Sequence, residues 1–213
     1  MKLTKIILAL MLILSTCSLS AITVAEKKQN FRDLIAPAVE NVYQELNTQY
    51  KDISKNIKNP SYANKITKLK NTYKITTDED LLKAIKPHPR SIAVAQAAME
   101  SAWATSRFFR EAKNIFGVWS FNKNEPRIAA GEKRNGTKTI WLKKYATIEG
   151  SVRDYYRTLG RSSAFKDFRT LKMKTDDPYK LVKKLDRYSE MGAKYGKELS
   201  SMIKYNKFYL YDK

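Results

Sequence analysis

The stretch from residue 91 to residue 103, SIAVAQAAMESAW, is the most apolar helical pattern beyond the first 25 residues of the chain. Pro87 and Pro89 stop the preceding pattern and prevent this helix from beginning any earlier. A helix that is apolar around most of its circumference is buried inside a domain. We therefore predict that this segment is the central helix, against which the rest of the chain packs.

The segment at residues 31–57, FRDLIAPAVENVYQELNTQYKDISKNI, has apolar residues at steps of three and four. This spacing is typical of an amphipathic helix that buries one face. Pro37 is expected near the start of that helix or at a break in it. Neither a repeat nor a Gly/Ser linker follows, so we predict one domain at residues 76–213, preceded by a helical extension at residues 26–75.

The pattern changes from helix to strand after the central segment. Residues 127–130 and 138–143 have strand character, and the Asn-Gly pair at 135–136 between them is a strong turn signal. Helical patterns occupy the remainder, and Thr76 with Glu79 has the spacing of a capping box. The predicted fold is mainly α (α+β): a lysozyme-like helical domain with a small β-hairpin lobe, preceded by an N-terminal helix, with a cleft between helices and hairpin.

Residues 1–25 have the pattern of a secretory signal peptide. Lys2 and Lys5 precede an unbroken run of nine apolar residues, small and polar residues follow, and cleavage after Ala21 or Ala25 fits. The alternative, a membrane anchor, is disfavoured because a spanning helix needs ~20 apolar residues. We expect an exported protein of the periplasm or cell envelope, or a secreted one.

Cys17 is the only cysteine and lies within this segment, so the mature protein would have no disulfide, thiolate nucleophile or zinc cluster. Thr16 stands where a lipoprotein would have Gly or Ala, so we do not expect lipidation. The single histidine, His88, is interpreted as a surface or bridging residue rather than a metal ligand. The sequence predicts no metal and no other cofactor.

The charge of the chain indicates an anionic partner. Of 41 Lys and Arg residues only Lys2 and Lys5 precede residue 26, so the mature part has a net charge of +18. For an exported protein the candidates are an anionic cell-wall polymer or a membrane surface. The basic residues are spread along the chain, which argues against a specific nucleic-acid site. We expect a monomer.

Glu100 is the one acid in the run AQAAMESAWATSRFF. Its position at the end of an apolar helix, where the helix dipole disfavours a carboxylate, favours its protonated form. A glutamic acid held neutral is what a general acid for glycoside cleavage requires. An exposed helix acid, or one paired with Arg107 or Arg110, remains the alternative from these residues alone.

Four collinear segments carry a family resemblance between residues 85 and 209. AQAAMESAWATSRF, NIFGVWSF, KKYATIEGSVRDYYRTL and RYSEMGAKYGKELSSMIKYN together resemble the Bax-type peptidoglycan N-acetylglucosaminidases of glycoside hydrolase family 73, a branch of the lysozyme-like superfamily. The resemblance implies an endo-β-N-acetylglucosaminidase that cleaves the GlcNAc-MurNAc bond of peptidoglycan glycan strands. It implies Glu100 as the catalytic acid and Tyr188 as the active-site tyrosine.

The NxFG element of that family corresponds here to Asn114, Phe116 and Gly117, which the resemblance implies are substrate-binding. In that family the NxFG element distinguishes the glucosaminidases from lytic transglycosylases. The family would have Gly where this chain has Ala102 and Ala104, a change of little cost if the backbone there is ordinary helix.

The second catalytic group stays open. The resemblance implies a further carboxylate on the β-lobe, for which Glu125 is preferred and Glu132 is the alternative. The 2-acetamido oxygen of the substrate could also act as internal nucleophile.

Sugar rings expose apolar C–H faces, so a glycan cleft needs aromatic side chains. Trp103, Trp119 and Tyr145 are predicted to bind substrate, with Trp119 preferred at the change from helix to hairpin. Two other functions remain open: a muramidase or lytic transglycosylase on the same fold, and a wall-binding protein without activity.

Overall fold

The computed structural model describes residues 22–134 and 138–213, with side chains described outside residues 132–138. The predicted signal segment up to residue 21 and the predicted turn at 135–136 lie outside the described residues. The rest is mainly helical, with one antiparallel hairpin, which confirms the predicted fold class. The helices are α1 (Val24–Asn56), α2 (Ala63–Tyr73), α3 (Asp78–Ile85), α4 (Arg90–Glu100), α5 (Arg107–Ala112), α6 (Ile148–Arg161), α7 (Lys166–Lys172), α8 (Pro178–Leu181) and α9 (Ala193–Tyr205), and the strands are β1 (Arg127–Arg134) and β2 (Lys138–Lys143).

Helix α4 is the central helix, as predicted. Every residue from Ser91 to Ala98 is buried, including the polar Gln96. Helices α1 and α9 and the 3₁₀ segment Phe208–Asp212 pack around it. Four of its eleven residues are alanine, and small side chains allow several helices to approach one axis closely. The packing of this helix therefore fixes the backbone position of the residue at its C-terminal end.

Helix α1 runs without a break through Pro37, so the predicted start or break at this proline is wrong. A proline inside a helix removes one hydrogen bond and costs ~3 kcal/mol. Apolar residues before and after it, Phe31, Ile35, Val39 and Val42, are all buried in the same core as α4, which offsets that cost.

The hairpin is fastened to the helical body at an irregularity in β1. The pairing register shifts between Ala129 and Lys133, where Gly131 has φ +91°. Arg107 of α5 donates hydrogen bonds to the carbonyl oxygens of Ala129 (2.7 Å) and Ala130 (3.2 Å). The bulge is thus tied to the helix that follows the central segment, and β1 extends beyond its predicted end at residue 130.

The predicted capping box at Thr76 is wrong by one residue. Helix α3 begins after Thr77, whose hydroxyl oxygen accepts a hydrogen bond from the Asp80 amide (3.1 Å). Two adjacent threonines offer two possible caps, which spacing alone does not separate. Within the described part of the chain, no helix is both long and apolar enough to cross a membrane.

Candidate active site

Glu100 is the last residue of α4, and a tight turn follows it. Ser101 is fully buried, and its hydroxyl donates to the carbonyl oxygen of Ala97 (2.6 Å) and accepts from the Ala104 amide (2.8 Å). The Trp103 amide donates to the carbonyl oxygen of Ala98 (2.9 Å). These bonds satisfy the end of the helix and fix the direction in which the Glu100 side chain leaves it.

Three consecutive residues of this turn have left-handed backbones. Their φ angles are +50° at Ala102, +63° at Trp103 and +60° at Ala104. The condition under which alanine would cost little, an ordinary helical backbone, is therefore not met, and the glycines implied by the family resemblance suit this backbone better. A left-handed L-residue costs ~1 to 2 kcal/mol, and such strain is characteristic of functional sites.

The turn also directs Trp103 away from its predicted place. Its ring contacts Phe31 edge-to-face, with centroids 5.2 Å apart, and the Lys28 ammonium lies 4.9 Å from its centre. The structure instead assigns this ring to the packing of α1.

The Glu100 carboxyl receives a hydrogen bond from Tyr195 of α9, whose hydroxyl donates to Oε1 (2.8 Å). The residue keeps one side open to solvent, but protein surrounds its carboxyl on the other sides. Burial raises the pKa of Glu100, and the bond from Tyr195 offsets part of that rise. The protonated acid is therefore more populated near neutral pH than in an ordinary glutamate. Neither Arg107 nor Arg110 forms an ion pair with it among the described residues.

A chain of buried polar side chains continues from this carboxyl into the core. Gln96 donates through Nε2 to the Tyr195 hydroxyl (2.9 Å), and the Tyr155 hydroxyl donates to Oε1 of Gln96 (2.6 Å). Nε2 of His88 lies 2.9 Å from the Tyr155 hydroxyl oxygen. His88 is 1% exposed, so its interpretation as a surface residue is wrong. The flanking prolines turn its ring inward.

Tyr188, the predicted active-site tyrosine, lies behind Tyr195. The two rings stack with centroids 5.4 Å apart, and the Tyr188 hydroxyl contacts the carbonyl oxygen of Phe116 (3.4 Å). Burial, and then the charge of Glu100, raises the pKa of Tyr188 well above its ordinary value. Tyr195 rather than Tyr188 is thus the tyrosine bonded to Glu100.

Five of the predicted site residues line one pocket of about 420 Å³: Phe116, Gly117, Trp119, Glu125 and Tyr188. Trp119 is 42% exposed, so its ring is accessible to a sugar face. Glu100 does not line this pocket and is connected to it through the stacked tyrosines. The pocket therefore provides binding surface beside the acid.

Gly117 and Phe116 define the floor of the pocket. Gly117 has φ +65° and open space where a Cβ would point. Phe116 is 4% exposed and stacks on Tyr155, with centroids 4.0 Å apart. The NIFG segment thus turns sharply between a buried ring and the open side of the pocket.

Glu125 accepts a hydrogen bond from the Ser120 hydroxyl (2.7 Å), and Nζ of Lys143 lies 3.8 Å from its other oxygen. Glu125 therefore has one hydroxyl donor and one cation as neighbours. The alternative second acid, Glu132, has its side chain outside the described residues. No group of three or more His, Cys, Asp or Glu side chains that could hold a metal converges in the described part of the chain.

Asn114, a predicted substrate-binding residue, is used in the structure to hold the NIFG turn. It is 1% exposed, and its amide donates to the carbonyl oxygens of Val118 and Lys143 (both 2.9 Å) and accepts from the Val118 amide (3.0 Å). With its hydrogen-bonding groups used in this way, Asn114 closes the NIFG turn and ties it to β2.

The predicted substrate contact Tyr145 belongs to a charged cluster. Its hydroxyl donates to Oδ2 of Asp154 (2.8 Å), which also pairs with Lys143 (2.9 Å), while Oδ1 pairs with Arg157 (2.5 Å). Burial would raise the pKa of Asp154, but the hydrogen bonds from Lys143, Arg157 and Tyr145 hold it below its ordinary value. This cluster joins α6 to the hairpin, so Tyr145 acts here as a structural anchor.

Sequence reasoning missed Tyr195, Gln96, Tyr155 and His88 as partners of the site. One signal was present: Gln96 is the polar residue inside an otherwise apolar helix and lies four residues before Glu100, on the same face. A buried amide must find partners, and buried tyrosines offer them.

Comparisons with known proteins identify a family for this chain. The family model Glucosaminidase, described as mannosyl-glycoprotein endo-beta-N-acetylglucosaminidase, matches residues 79–208. Protein bax of Escherichia coli (strain K12) is 28% identical over 143 residues, which are 64% of this chain and 49% of that protein. The chain thus spans about half the length of this curated relative.

Two solved structures are similar at low identity. The catalytic domain of the autolysin Auto from Listeria monocytogenes is 17% identical, with a TM-score of 0.48 and coverage of 90% of this chain and 99% of that one. A C-terminally truncated glycoside hydrolase domain from Salmonella typhimurium FlgJ is 22% identical, with a TM-score of 0.45 and coverage of 67% and 95%.

Proposed function

This chain belongs to the glucosaminidase family, and we propose that it is a peptidoglycan hydrolase that cleaves the bond from N-acetylglucosamine to N-acetylmuramic acid with Glu100 as general acid. The observation that carries the proposal is the Glu100 carboxyl at the end of α4. It is partly desolvated, has a raised pKa and is held at Oε1 by Tyr195. Cleavage of a glycosidic bond needs such a group because the departing sugar oxygen is a poor base until it receives a proton.

The second group in this proposal is either Glu125 or the substrate's own 2-acetamido oxygen. Glu125 lines the pocket, accepts a hydrogen bond from Ser120 and lies near Lys143. A carboxyl in that position suits a base or a stabiliser of positive charge on the sugar. If Glu125 acts only in binding, the acetamido oxygen attacks the anomeric carbon and one protein carboxyl suffices.

Substrate binding is proposed in the pocket that Trp119 and Tyr188 line. Its walls combine aromatic rings with the cations Lys143 and Arg161. Rings suit the C–H faces of sugars, while cations suit the lactyl and peptide carboxylates of muramic acid. This combination favours peptidoglycan over a neutral glycan.

The proposal also covers the cellular location of the protein and its binding partners. We propose an exported monomer that works at the cell envelope. Its net charge of +18 beyond residue 25 would hold it near anionic wall polymer or membrane. That attraction is screened within ~8 Å at physiological ionic strength, so it increases residence at the wall without fixing which bond is cut.

The experiment that tests the proposal identifies the new sugar ends. Purified peptidoglycan is digested with the protein, reduced with borohydride and analysed by mass spectrometry, with Glu100→Gln as the matched control. Reduced N-acetylglucosamine is expected. Reduced N-acetylmuramic acid would instead indicate a muramidase, and an anhydro ring a lytic transglycosylase. Wall binding without new ends would favour the binding protein, and release of glycan from a high-mannose glycoprotein would assign the substrate in the family description.

A further inference from the structure

We propose that His88, Tyr155 and Gln96 are positioning residues: they form a one-way hydrogen-bond relay that keeps the Tyr195 hydroxyl donating to Oε1 of Glu100. The inference rests on the proposed role of Glu100 as the acid. The relay would keep the transferable proton on Oε2. Four contacts of 2.6 to 2.9 Å link the five side chains in series.

The direction of each link follows from its neighbour. Tyr155 has one proton, and it is directed at Oε1 of Gln96. The Tyr155 oxygen must therefore accept from His88, so Nε2 of His88 carries the hydrogen. With its oxygen held by Tyr155, Gln96 turns its amide nitrogen to Tyr195. The Tyr195 proton is then available only to Glu100.

The same atoms allow one other arrangement, in which every link is reversed. With Gln96 flipped, its oxygen would draw the Tyr195 proton, and the Tyr195 oxygen would accept the acid proton from Oε1 of Glu100. The acid would then direct its proton into the protein, where no substrate oxygen can take it. The tautomer of His88 distinguishes the two arrangements: with the hydrogen on Nε2, His88 cannot accept the Tyr155 proton, which is then directed at Gln96.

The relay lies in surroundings that favour a neutral His88. Burial, and then the charge of Lys172, lowers the pKa of His88 well below its ordinary value, so the ring carries one hydrogen. Lys172 is itself buried and donates to the carbonyl oxygen of Lys86. On the other side, Tyr188 is the titratable group that stacks on Tyr195.

The relay is tested with two adjacent tyrosines of α6. Tyr155→Phe breaks the relay between His88 and Gln96. Tyr156→Phe is the matched control, because Tyr156 is also buried and its ring lies tilted against His88, with centroids 4.4 Å apart. Its hydroxyl donates to the backbone carbonyl oxygen of His88 (3.4 Å) rather than to a side chain of the relay. The Glu100 pKa is read by NMR titration of ¹³C-labelled carboxyls, and kcat is measured against pH on peptidoglycan.

In Tyr155→Phe, Gln96 is free to flip, and the Glu100 carboxylate loses part of its hydrogen bond. We expect the Glu100 pKa to rise by about half a unit to one unit. The alkaline limb of kcat should move up by the same amount while the plateau falls about fivefold. Tyr156→Phe should match the parent. Loss of packing alone would lower activity without moving the limb, so equal Glu100 pKa values in the two variants would overturn the relay.

A second pair of variants tests the His88 end of the relay. His88→Phe keeps an aromatic ring but removes the donor, and should reproduce the Tyr155→Phe shift; His88→Gln offers an amide donor and should restore the parent value. This pair of variants tests the relay even if Tyr155→Phe fails to fold. A Glu100 pKa in His88→Phe equal to that of the parent would contradict the inference. If the parent proves inactive on peptidoglycan, the proposed function fails, while the NMR titrations still decide the relay.

Discussion

Helix α6 carries two polar networks side by side, and they differ in kind. Asp154 collects Lys143, Tyr145 and Arg157 in a charged cluster that joins the helix to the hairpin. The next residue, Tyr155, belongs to the neutral relay beneath Glu100. Ion pairs with opposite charges hold two elements at a set distance, whereas neutral hydrogen bonds can be reversed and therefore control where protons lie.

The largest effect on activity is expected at Glu100, whose carboxyl lies at the end of the neutral relay. Glu100→Gln keeps the size of the side chain and removes its transferable proton, so kcat on peptidoglycan should fall by about 10²- to 10⁴-fold. Because the pKa of Glu100 is raised, parent activity should persist to higher pH than an ordinary glutamate permits and fall as the acid ionises. A variant that keeps parent activity, with an unchanged circular dichroism spectrum, would exclude Glu100 as the acid.

The charged network should govern stability more than rate. Asp154→Asn leaves Lys143 and Arg157 without their shared carboxylate, and we expect a loss of about 2 to 3 kcal/mol in the free energy of unfolding, below the fully buried case because Arg157 is 39% exposed. The folded pKa of Asp154 is lowered, so its contribution is present above the unfolded value and lost as pH falls through the folded one.

Urea unfolding at a series of pH values measures both parts of this prediction. The parent should lose stability below about pH 4, and Asp154→Asn should lack that portion of the acid loss. Tyr145→Phe removes one neutral bond from the same carboxylate and serves as the milder control. An Asp154→Asn protein as stable as the parent at pH 7 would mean that the cluster does not anchor the hairpin.

The comparison also separates what sequence could predict from what it could not. The central helix and the hairpin followed from local patterns, and Glu100 stood out as a lone acid in an apolar run. The partner Tyr195 lies 95 residues away. Local spacing carries no information on such a contact, and family resemblance favoured the neighbouring Tyr188.

Other incorrect expectations have local structural causes that the amino-acid type does not indicate. Alanine is the best helix former, so the residue type itself does not indicate that Ala102 and Ala104 adopt left-handed backbones. The signal lay in the glycines that the family resemblance implies at these positions. The family resemblance implied that Asn114 binds substrate, yet its amide closes the turn.

The strained turn after Glu100 predicts a smaller, stabilising effect. Glycine accepts positive φ without penalty, so Ala102→Gly and Ala104→Gly should each raise the free energy of unfolding by about 1 kcal/mol at most. Ala97→Gly, in the regular part of α4, is the opposite control and should be destabilising. Thermal melts that place the turn variants below the parent would show that the alanine methyl groups contribute packing worth more than the strain.

The smallest expected effect concerns substrate choice in the pocket beside the acid. Arg161 is exposed and lines this pocket with Phe165 and Tyr188, so a muramic acid carboxylate bound there would interact with its guanidinium through solvent. Such contacts contribute ~0.2 to 1 kcal/mol, and Arg161→Gln should therefore raise KM for soluble peptidoglycan fragments by about two- to fivefold with kcat unchanged. Arg161→Lys keeps the charge and should lose less. The same variants on chitin oligosaccharides, which have no carboxylate, should match the parent, and the difference should vanish at high salt. An equal change in KM on both glycans would mean that Arg161 shapes the pocket without selecting the charged sugar.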